Sequence, residues 1–151
     1  MKKAVKPVLA IVRSKYRPEI VDLLFQGATA VLKAAGAEYS VYEVAGSLEI
    51  PAAVELLQKS GKRFDGYVTL GCVMKGATIH DEVIAYTIFP ALDQIARRDG
   101  VAIGNGILTV STEAQAFERA DPNFQDRGGE AARAALGMIG LRAILSADEA
   151  A

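Results

Sequence analysis

Short apolar runs alternate along the chain with longer segments in which apolar residues recur at helical spacing. The runs predict four strands, at Pro7–Arg13, Glu38–Val44, Tyr67–Leu70 and Val101–Val110. The first and third runs are apolar enough to lie inside a parallel sheet that is covered on both faces. Glu38–Val44 alternates only in part between apolar and polar residues, which favours a position nearer an edge of the sheet.

A predicted helix follows each strand. The first begins at Pro18, a residue suited to the first helical position, carries an apolar stripe from Ile20 to Ala35, and ends at Gly36. The remaining helices are predicted from Ala52 to Lys59, from Thr78 to about Arg98, from Thr112 to about Ala120 and from Gly128 to about Leu145. Strands that alternate with helices imply right-handed crossovers. We therefore predict a single domain over residues 1–151, a flavodoxin-like three-layer α/β/α sandwich around a four-stranded parallel sheet.

The segment from Gly71 to His80 joins the third strand to its helix through a glycine-containing loop. Thr78 and Asp81 fit the pattern of a capping box, which predicts that the helix starts at Thr78. Backbone N–H groups and the positive end of the helix dipole then point at one spot, where an anion such as phosphate can bind. His80, the only histidine, lies in the first helical turn. A glycine and a capping threonine also occur at such junctions for backbone reasons alone, and the motifs G-x-G-x-x-G and G-x-x-x-x-G-K-[ST] are absent from the sequence.

Ligands of parallel α/β sheets bind outside the carboxyl ends of the strands. The loops at these ends are residues 14–18, 45–50, 71–78 and 110–112, and their candidate site residues are Tyr16, Arg17, Ser47, Glu49, Lys75, Thr78 and His80. Arg119, Arg127 and Glu130 follow the fourth strand and lie further away in this topology. They reach such a site only by folding back or from a neighbouring subunit.

Composition narrows the classes of function. The chain has 151 residues, of which 51% are hydrophobic, and this apolar fraction favours a surface buried between subunits. A formal net charge of −1 argues against a nucleic-acid partner. The single cysteine, Cys72, excludes an intrachain disulfide and a cysteine-rich metal site. No apolar run reaches membrane-spanning length, so we expect a cytoplasmic protein with no membrane contact.

Four segments occur in an order and at a spacing typical of one family. Residues 46–51 are GSLEIP, residues 71–80 are GCVMKGATIH, residues 106–109 are GILT and residues 126–130 are DRGGE. They resemble the motifs P-G-A/S-x-E-I-P, G-x-V-I-R-G-x-T-x-H, G-V/I-L-T and N-K-G-x-E/D of the lumazine synthases, transferases of riboflavin biosynthesis. The resemblance extends from about Val8 to Arg142.

The resemblance implies a reaction and a role for each matching residue. The family condenses 5-amino-6-(D-ribitylamino)uracil with 3,4-dihydroxy-2-butanone 4-phosphate, releases phosphate, and needs no metal or organic cofactor. The implied substrate-binding residues are Tyr16, as the aromatic that stacks on the pyrimidine, together with Ser47, Leu48, Glu49, Val73, Met74 and Asn105. The implied phosphate-binding residues are Ala77, Thr78 and Arg119, and the implied catalytic residues are His80, Glu130 and Arg127. Histidine suits proton transfer because its ordinary pKa lies near neutral pH.

Family sites lie between the subunits of a pentamer, which implies a homo-oligomer here, a pentamer or a multiple of one. The neighbouring chain would then supply Asn105, Arg119, Arg127 and Glu130. The chain departs from the family pattern at several positions, among them Arg17 for asparagine, Asp126-Arg127 for asparagine-lysine, Asp81 for an aromatic after the histidine, and Asn105 for an aromatic against the pyrimidine, while Pro90 has no counterpart.

Two other classes of function stay open at this stage. A catalytically weak assembly or shell protein on the same pentameric scaffold would form a tight oligomer and make little product. A flavin- or nucleotide-binding module of flavodoxin type is supported by the fold alone. Glu49 also has a second possible role, as an acid stabilised by the N-terminus of the following helix.

Overall fold

The computed structural model describes residues 5–76 and 80–150. In chain order its elements are β1 (Val8–Ser14), α1 (Pro18–Ala34), β2 (Glu38–Val44), a 3₁₀ turn (Ser47–Glu49), α2 (Ile50–Lys59), β3 (Gly66–Met74), α3 (His80–Asp99), β4 (Ala102–Val110), α4 (Glu113–Ala120) and α5 (Arg127–Ala150). Each predicted strand and helix is present. The predicted helix start at Thr78 lies outside the described residues.

The described strands form one parallel sheet of four in the order β2-β1-β3-β4. Helices cover both faces, so the predicted three-layer α/β architecture is confirmed. The prediction that Glu38–Val44 lies at an edge is confirmed, since β2 pairs only with β1 in the described part of the chain. Ala35 was wrongly placed on the buried stripe of α1, because the helix ends at Ala34 and Ala35 is exposed.

β3 is longer than the pattern predicts. Its predicted end was Leu70, yet the strand continues to Met74, with Gly71 to Met74 paired in register with Ile107 to Val110 of β4. Gly71 was interpreted as the start of a loop, but its lack of a side chain serves packing inside the strand. A Cβ at Gly71 would lie 2.4 Å from the Ser47 Oγ. The extended strand therefore brings the 3₁₀ turn directly against the sheet.

Two apolar clusters fill the layers on either side of the sheet. One packs α1, α4 and α5 against the sheet around Ile11, Leu24 and Val68. The other packs α2 and α3 against the opposite face around Val12, Ile50 and Ile88. Among the described residues, no helix combines the length and the apolar character that crossing a membrane requires.

Glycines allow α5 to approach both β4 and α1 at backbone distance. A Cβ at Gly104 of β4 would lie 1.8 Å from the carbonyl oxygen of Ala131, and a Cβ at Gly128 would lie 1.9 Å from the carbonyl oxygen of Leu24. Only a residue without a side chain fits such a contact unless the backbone moves. The N-terminal half of α5 is thereby fixed in position between helix α1 and strand β4.

Replacing Gly104 with alanine is expected to lower the free energy of unfolding by about 2 kcal/mol or more, because the added methyl group meets a backbone carbonyl and forces α5 away from the sheet. The change is measured as a shift in the urea midpoint. Gly137→Ala in α5 is the control, since a Cβ at Gly137 would have no atom within 4 Å. Its expected effect is a stabilisation of up to about 1 kcal/mol from helix propensity. Equal midpoints for the two variants would contradict the proposed packing constraint.

The Cys72 thiol is expected to be nearly unreactive in the folded protein. Burial raises the pKa of this thiol to about 11, while Arg17 lowers it and Glu19 raises it to smaller extents. Since the thiolate is the reactive form, ionisation alone slows labelling at pH 8 by about a hundredfold. We expect a disulfide reagent to label the urea-unfolded protein at least that much faster than the folded protein, measured by absorbance of the released thiolate. Full labelling of folded protein on the time scale of the unfolded chain would refute this.

Candidate functional site

One group of candidate residues lines a cavity at the carboxyl ends of β1 and β3, named here the β3 cavity. Its volume is about 310 Å³, and its lining residues are Tyr16, Gly46, Ser47, Leu48, Cys72, Val73, Met74, His80, Asp81 and Ile84. The site was predicted outside the carboxyl ends of the strands, and six of its lining residues belong to the set named from the sequence. Loops after β1 and β2, the end of β3 and the first turns of α3 converge here.

Tyr16 lies on the loop between β1 and α1. The buried hydroxyl of Ser14 accepts a hydrogen bond from the Tyr16 N–H at 3.1 Å, and the Lys15 N–H donates to the carbonyl of Val44 at 2.8 Å. These bonds attach the loop to the ends of β1 and β2. Tyr16 itself is 56% exposed, so its ring is available to a ligand at the mouth of the β3 cavity.

The turn after β2 places Ser47 and Glu49 in different environments. Ser47 is 7% exposed and lines the β3 cavity. The Glu49 carboxylate accepts a hydrogen bond from the Gly46 N–H at 3.0 Å, which closes the 3₁₀ turn. Glu49 is exposed and is absent from the cavity lining. In the described chain the Glu49 carboxylate thus acts as a capping group of the 3₁₀ turn through one oxygen, and its predicted contact with substrate stays a prediction. Leu48 lines the cavity.

Two buried side-chain polar atoms lack a hydrogen-bond partner within the described residues, and both lie at this end of the sheet. They are the Ser47 Oγ and the Arg17 Nε. A buried polar group without a partner is costly in free energy, and such groups in folded proteins call for an explanation. A polar ligand in the β3 cavity would supply a hydrogen-bond partner for the Ser47 Oγ, because Ser47 lines this cavity.

The loop from β3 to α3 is described at both of its ends. The Lys75 N–H donates to the carbonyl of Val110 at 2.8 Å, so β3 and β4 stay paired to their ends. The Gly76 N–H donates to the Asp81 carboxylate, which links the first turn of α3 to the loop. His80 is the first residue of α3 and lines the β3 cavity. The predicted phosphate-binding residues Ala77 and Thr78 lie outside the described residues.

A second group of candidate residues lines a different cavity, named here the β4 cavity. Its volume is about 500 Å³, and its lining residues are Asn105, Gly106, Ile107, Leu108, Thr109, Arg119, Arg127, Glu130, Ala131 and Ala134. It lies between β4, α4 and α5. The four residues that the resemblance assigns to a neighbouring chain, Asn105, Arg119, Arg127 and Glu130, lie together here.

Arginine side chains dominate the chemistry of the β4 cavity. The Arg127 guanidinium donates to the Glu130 carboxylate at 2.9 Å and to the Gln125 side-chain carbonyl at 3.5 Å. Arg119 donates to the carbonyl of Gln115 one turn earlier in α4, at 3.4 Å. Asn105 accepts from the Ile107 N–H at 3.0 Å. Two arginines that line one cavity suit an anionic oxygen-rich ligand such as phosphate.

The β3 and β4 cavities share no lining residue. The structure thus groups Tyr16, Ser47, Leu48, Val73, Met74 and His80 on one side, and Asn105, Arg119, Arg127 and Glu130 on the other. The sequence interpretation omitted Ile84 and Cys72 from the site. Ile84 stands four residues after His80, so helical spacing gave a signal for it. Within residues 5–76 and 80–150, no cluster of three or more histidine, cysteine or acidic side chains is arranged to hold a metal ion.

Comparisons with known proteins agree with the motifs. The sequence model of the family described as 6,7-dimethyl-8-ribityllumazine synthase matches residues 6–143. The chain is 48% identical over 132 residues to the 6,7-dimethyl-8-ribityllumazine synthase of Novosphingobium aromaticivorans, covering 87% of this chain and 94% of that protein. It is 44% identical over 137 residues to the enzyme of that name from Bartonella tribocorum, covering 91% of each chain. The chain belongs to the 6,7-dimethyl-8-ribityllumazine synthase family.

Proposed function

We propose that this protein is a 6,7-dimethyl-8-ribityllumazine synthase, a transferase of riboflavin biosynthesis. It condenses 5-amino-6-(D-ribitylamino)uracil with 3,4-dihydroxy-2-butanone 4-phosphate and releases phosphate. Family membership over residues 6–143 supports the reaction. The observation that carries the proposal is the division of the candidate residues between two cavities, one with an aromatic ring, a hydroxyl and a histidine, the other with two arginines and a carboxylate.

The β3 cavity is the proposed site of the uracil substrate. The flat pyrimidine stacks on Tyr16, because aromatic faces bind planar rings in offset or stacked arrangements. Main-chain groups of Val73 and Met74, at the end of β3, meet the pyrimidine edge. The ribityl chain carries several hydroxyls, and one of them gives the buried Ser47 Oγ the partner that it lacks among the described residues. Glu49, whose carboxylate also accepts from the Gly46 N–H, and the backbone around Ser47 are the other proposed partners of the ribityl hydroxyls.

The butanone phosphate is proposed to lie between the two cavities. Its phosphate binds Arg119, with Ala77 and Thr78 as further partners expected from the sequence. Arginine presents a planar fork that fits phosphate oxygens in a bidentate manner. Arg127 lines the same cavity and supplies a second positive charge. Asn105, which lines the β4 cavity, is proposed to meet the pyrimidine from the neighbouring subunit.

His80 is the proposed proton-transfer group for imine formation and phosphate loss. Glu130 is proposed to orient it. Within one chain these residues line different cavities, so the proposal requires Glu130 to come from a neighbouring subunit. Holding two reactants side by side removes much of the entropic barrier of a bimolecular condensation.

Exposed apolar side chains support an oligomer whose sites lie between subunits. Among the described residues they include Val83 and Tyr86 on α3, Phe117 and Phe124 near α4, and Met138, Leu141, Ile144 and Leu145 on α5. Apolar surface of this extent is typical of protein contacts. We propose a pentamer or a multiple of a pentamer, as the family resemblance implies, and the cytoplasmic location expected from the sequence stays a prediction.

A product assay tests the reaction. The protein is mixed with both substrates, and formation of the lumazine is followed by absorbance and fluorescence against a reaction without enzyme, because the condensation has a spontaneous background. We expect turnover above this background and a loss of roughly a hundredfold in His80→Ala, the scale of a lost proton-transfer group. Arg63→Met is the control, since Arg63 is exposed on the loop before β3, at the opposite end of the sheet. A wild-type rate equal to background would overturn the proposal and favour an assembly protein.

Mixing two defective variants tests the location of the site between subunits. His80→Ala damages the β3 cavity and Arg119→Met damages the β4 cavity, so each variant alone is expected to be nearly inactive. After both are dissociated in urea and reassembled together, about a quarter of the sites in a ring of random order combine two intact halves. Activity of the mixture should therefore rise well above that of either variant treated alone. A mixture no more active than the mean of the two would place the whole site within one chain.

A further inference from the structure

We propose that Arg17 is a positioning residue for the pyrimidine substrate. Its guanidinium packs against the Tyr16 ring and holds that ring at the mouth of the β3 cavity. The inference rests on the proposed function and concerns a residue at which the chain departs from the family pattern. It starts from the geometry of the loop between β1 and α1. Arg17 has φ 57° and ψ 58°, the left-handed conformation, and forms the N-cap of α1.

The conformation of Arg17 brings two adjacent side chains to the same side of the chain. In extended backbone, successive side chains point in opposite directions, and a left-handed residue breaks that alternation. The Arg17 guanidinium carbon lies 5.5 Å from the centroid of the Tyr16 ring. A cation within about 6 Å of a ring centroid is attracted to the ring face. The Arg17 carbonyl accepts from the Ile20 and Val21 N–H groups, at 3.1 Å each, so α1 fixes the backbone beneath the pair.

Arg17 has no carboxylate within 4.0 Å in the described chain, since it forms none of the ion pairs found there. Its Nε is buried and lacks a hydrogen-bond partner. Among the described residues, the contact found for this guanidinium is therefore the one with the Tyr16 ring, and it involves no ion pair. The positive charge also reaches the cavity wall, because Arg17 opposes the rise in the Cys72 pKa that burial causes, and Cys72 lines the β3 cavity.

Holding the ring in advance favours binding of a flat substrate. Tyr16 is 56% exposed, and an exposed loop aromatic samples several rotamers. A ligand that stacks on it must select one rotamer and lose the freedom of the others. A ring already covered by Arg17 loses less freedom, so the pyrimidine binds with a smaller entropic cost. The butanone phosphate makes no contact with this ring in the proposed site and gains nothing from the pair.

The test is a double-mutant cycle on Tyr16 and Arg17, measured as the Kd of 5-amino-6-(D-ribitylamino)uracil by calorimetry and as the KM of each substrate in turnover. Arg17→Met is expected to raise the Kd and KM of the uracil substrate about two- to fivefold, the scale of an exposed cation–π contact. The kcat and the KM of the butanone phosphate should stay unchanged. Arg17→Lys, which keeps the charge, should lie closer to wild type. Arg17→Gln replaces Arg17→Met if the latter fails to fold, as judged by circular dichroism.

The decisive comparison is made in the Tyr16→Ala background. If Arg17 acts through the ring, Arg17→Met has no further effect on the Kd there. An equal effect with and without Tyr16 would show that Arg17 contacts the substrate directly and would overturn the inference, as would an equal rise in both KM values. Calorimetry measures binding without turnover. If the protein binds 5-amino-6-(D-ribitylamino)uracil but forms no product, the proposed reaction is contradicted, while the double-mutant cycle still decides the role of Arg17. If the wild-type protein does not bind 5-amino-6-(D-ribitylamino)uracil, both the proposed function and the proposed role of Arg17 are overturned. Arg63→Met again serves as the matched control.

Discussion

The close approach of α5 to β4 and α1 is the constraint on which the β4 cavity depends. Gly104 and Gly128 let backbone meet backbone, with carbonyl oxygens where side chains would otherwise stand. Asp126, with φ 49°, precedes the helix and accepts from the Gly129 N–H at 3.2 Å, so the first turn of α5 has one fixed start. Because Arg127 and Glu130 lie in that turn, a shift of α5 by the width of one methyl group would move both of them relative to Arg119 on α4.

The continuation of β3 to Met74 has the matching effect on the β3 cavity. The strand carries its backbone to the place where Ser47 and His80 converge, and Gly71 leaves room for the serine hydroxyl. One sheet thereby builds two half-sites that share no residue. The β4 cavity is bounded by α4 and α5 and the β3 cavity by α3, and these helices pack on opposite faces of the sheet. This separation within one chain is the reason that the proposed site includes a second subunit.

Much of the fold follows from the sequence because its elements are locally consistent. Apolar strands, a proline at the start of α1, and Thr112 as the cap that accepts from the Gln115 N–H each have a local cause. The end of β3 has no such local cause. A glycine such as Gly71 can end a strand or continue it, and here the packing of Ser47 against it allows the strand to continue. Glu49 shows the same limit. Its predicted contact with substrate stays a prediction, while the bond that its carboxylate accepts from the Gly46 N–H depends on backbone geometry after β2 and has no local signal in the sequence. The sequence did predict that Arg119, Arg127 and Glu130 lie apart from Tyr16 and His80, because that separation follows from the order of the elements.

The ion pair between Arg127 and Glu130 bears on how the proposed site would change when substrate enters. The pair is half exposed, at 46% and 55% for the two side chains. Exposed pairs of this kind contribute about 1 kcal/mol or less. A phosphate beside Arg119 offers Arg127 a stronger, charge-assisted partner, because guanidinium–phosphate contacts are commonly bidentate. In the proposed reaction, Arg127 then exchanges a weak pair for a stronger one, and the Glu130 carboxylate becomes available to His80 of the adjoining subunit. The same arginine that binds phosphate would thus couple substrate entry to the orientation of the proton-transfer histidine.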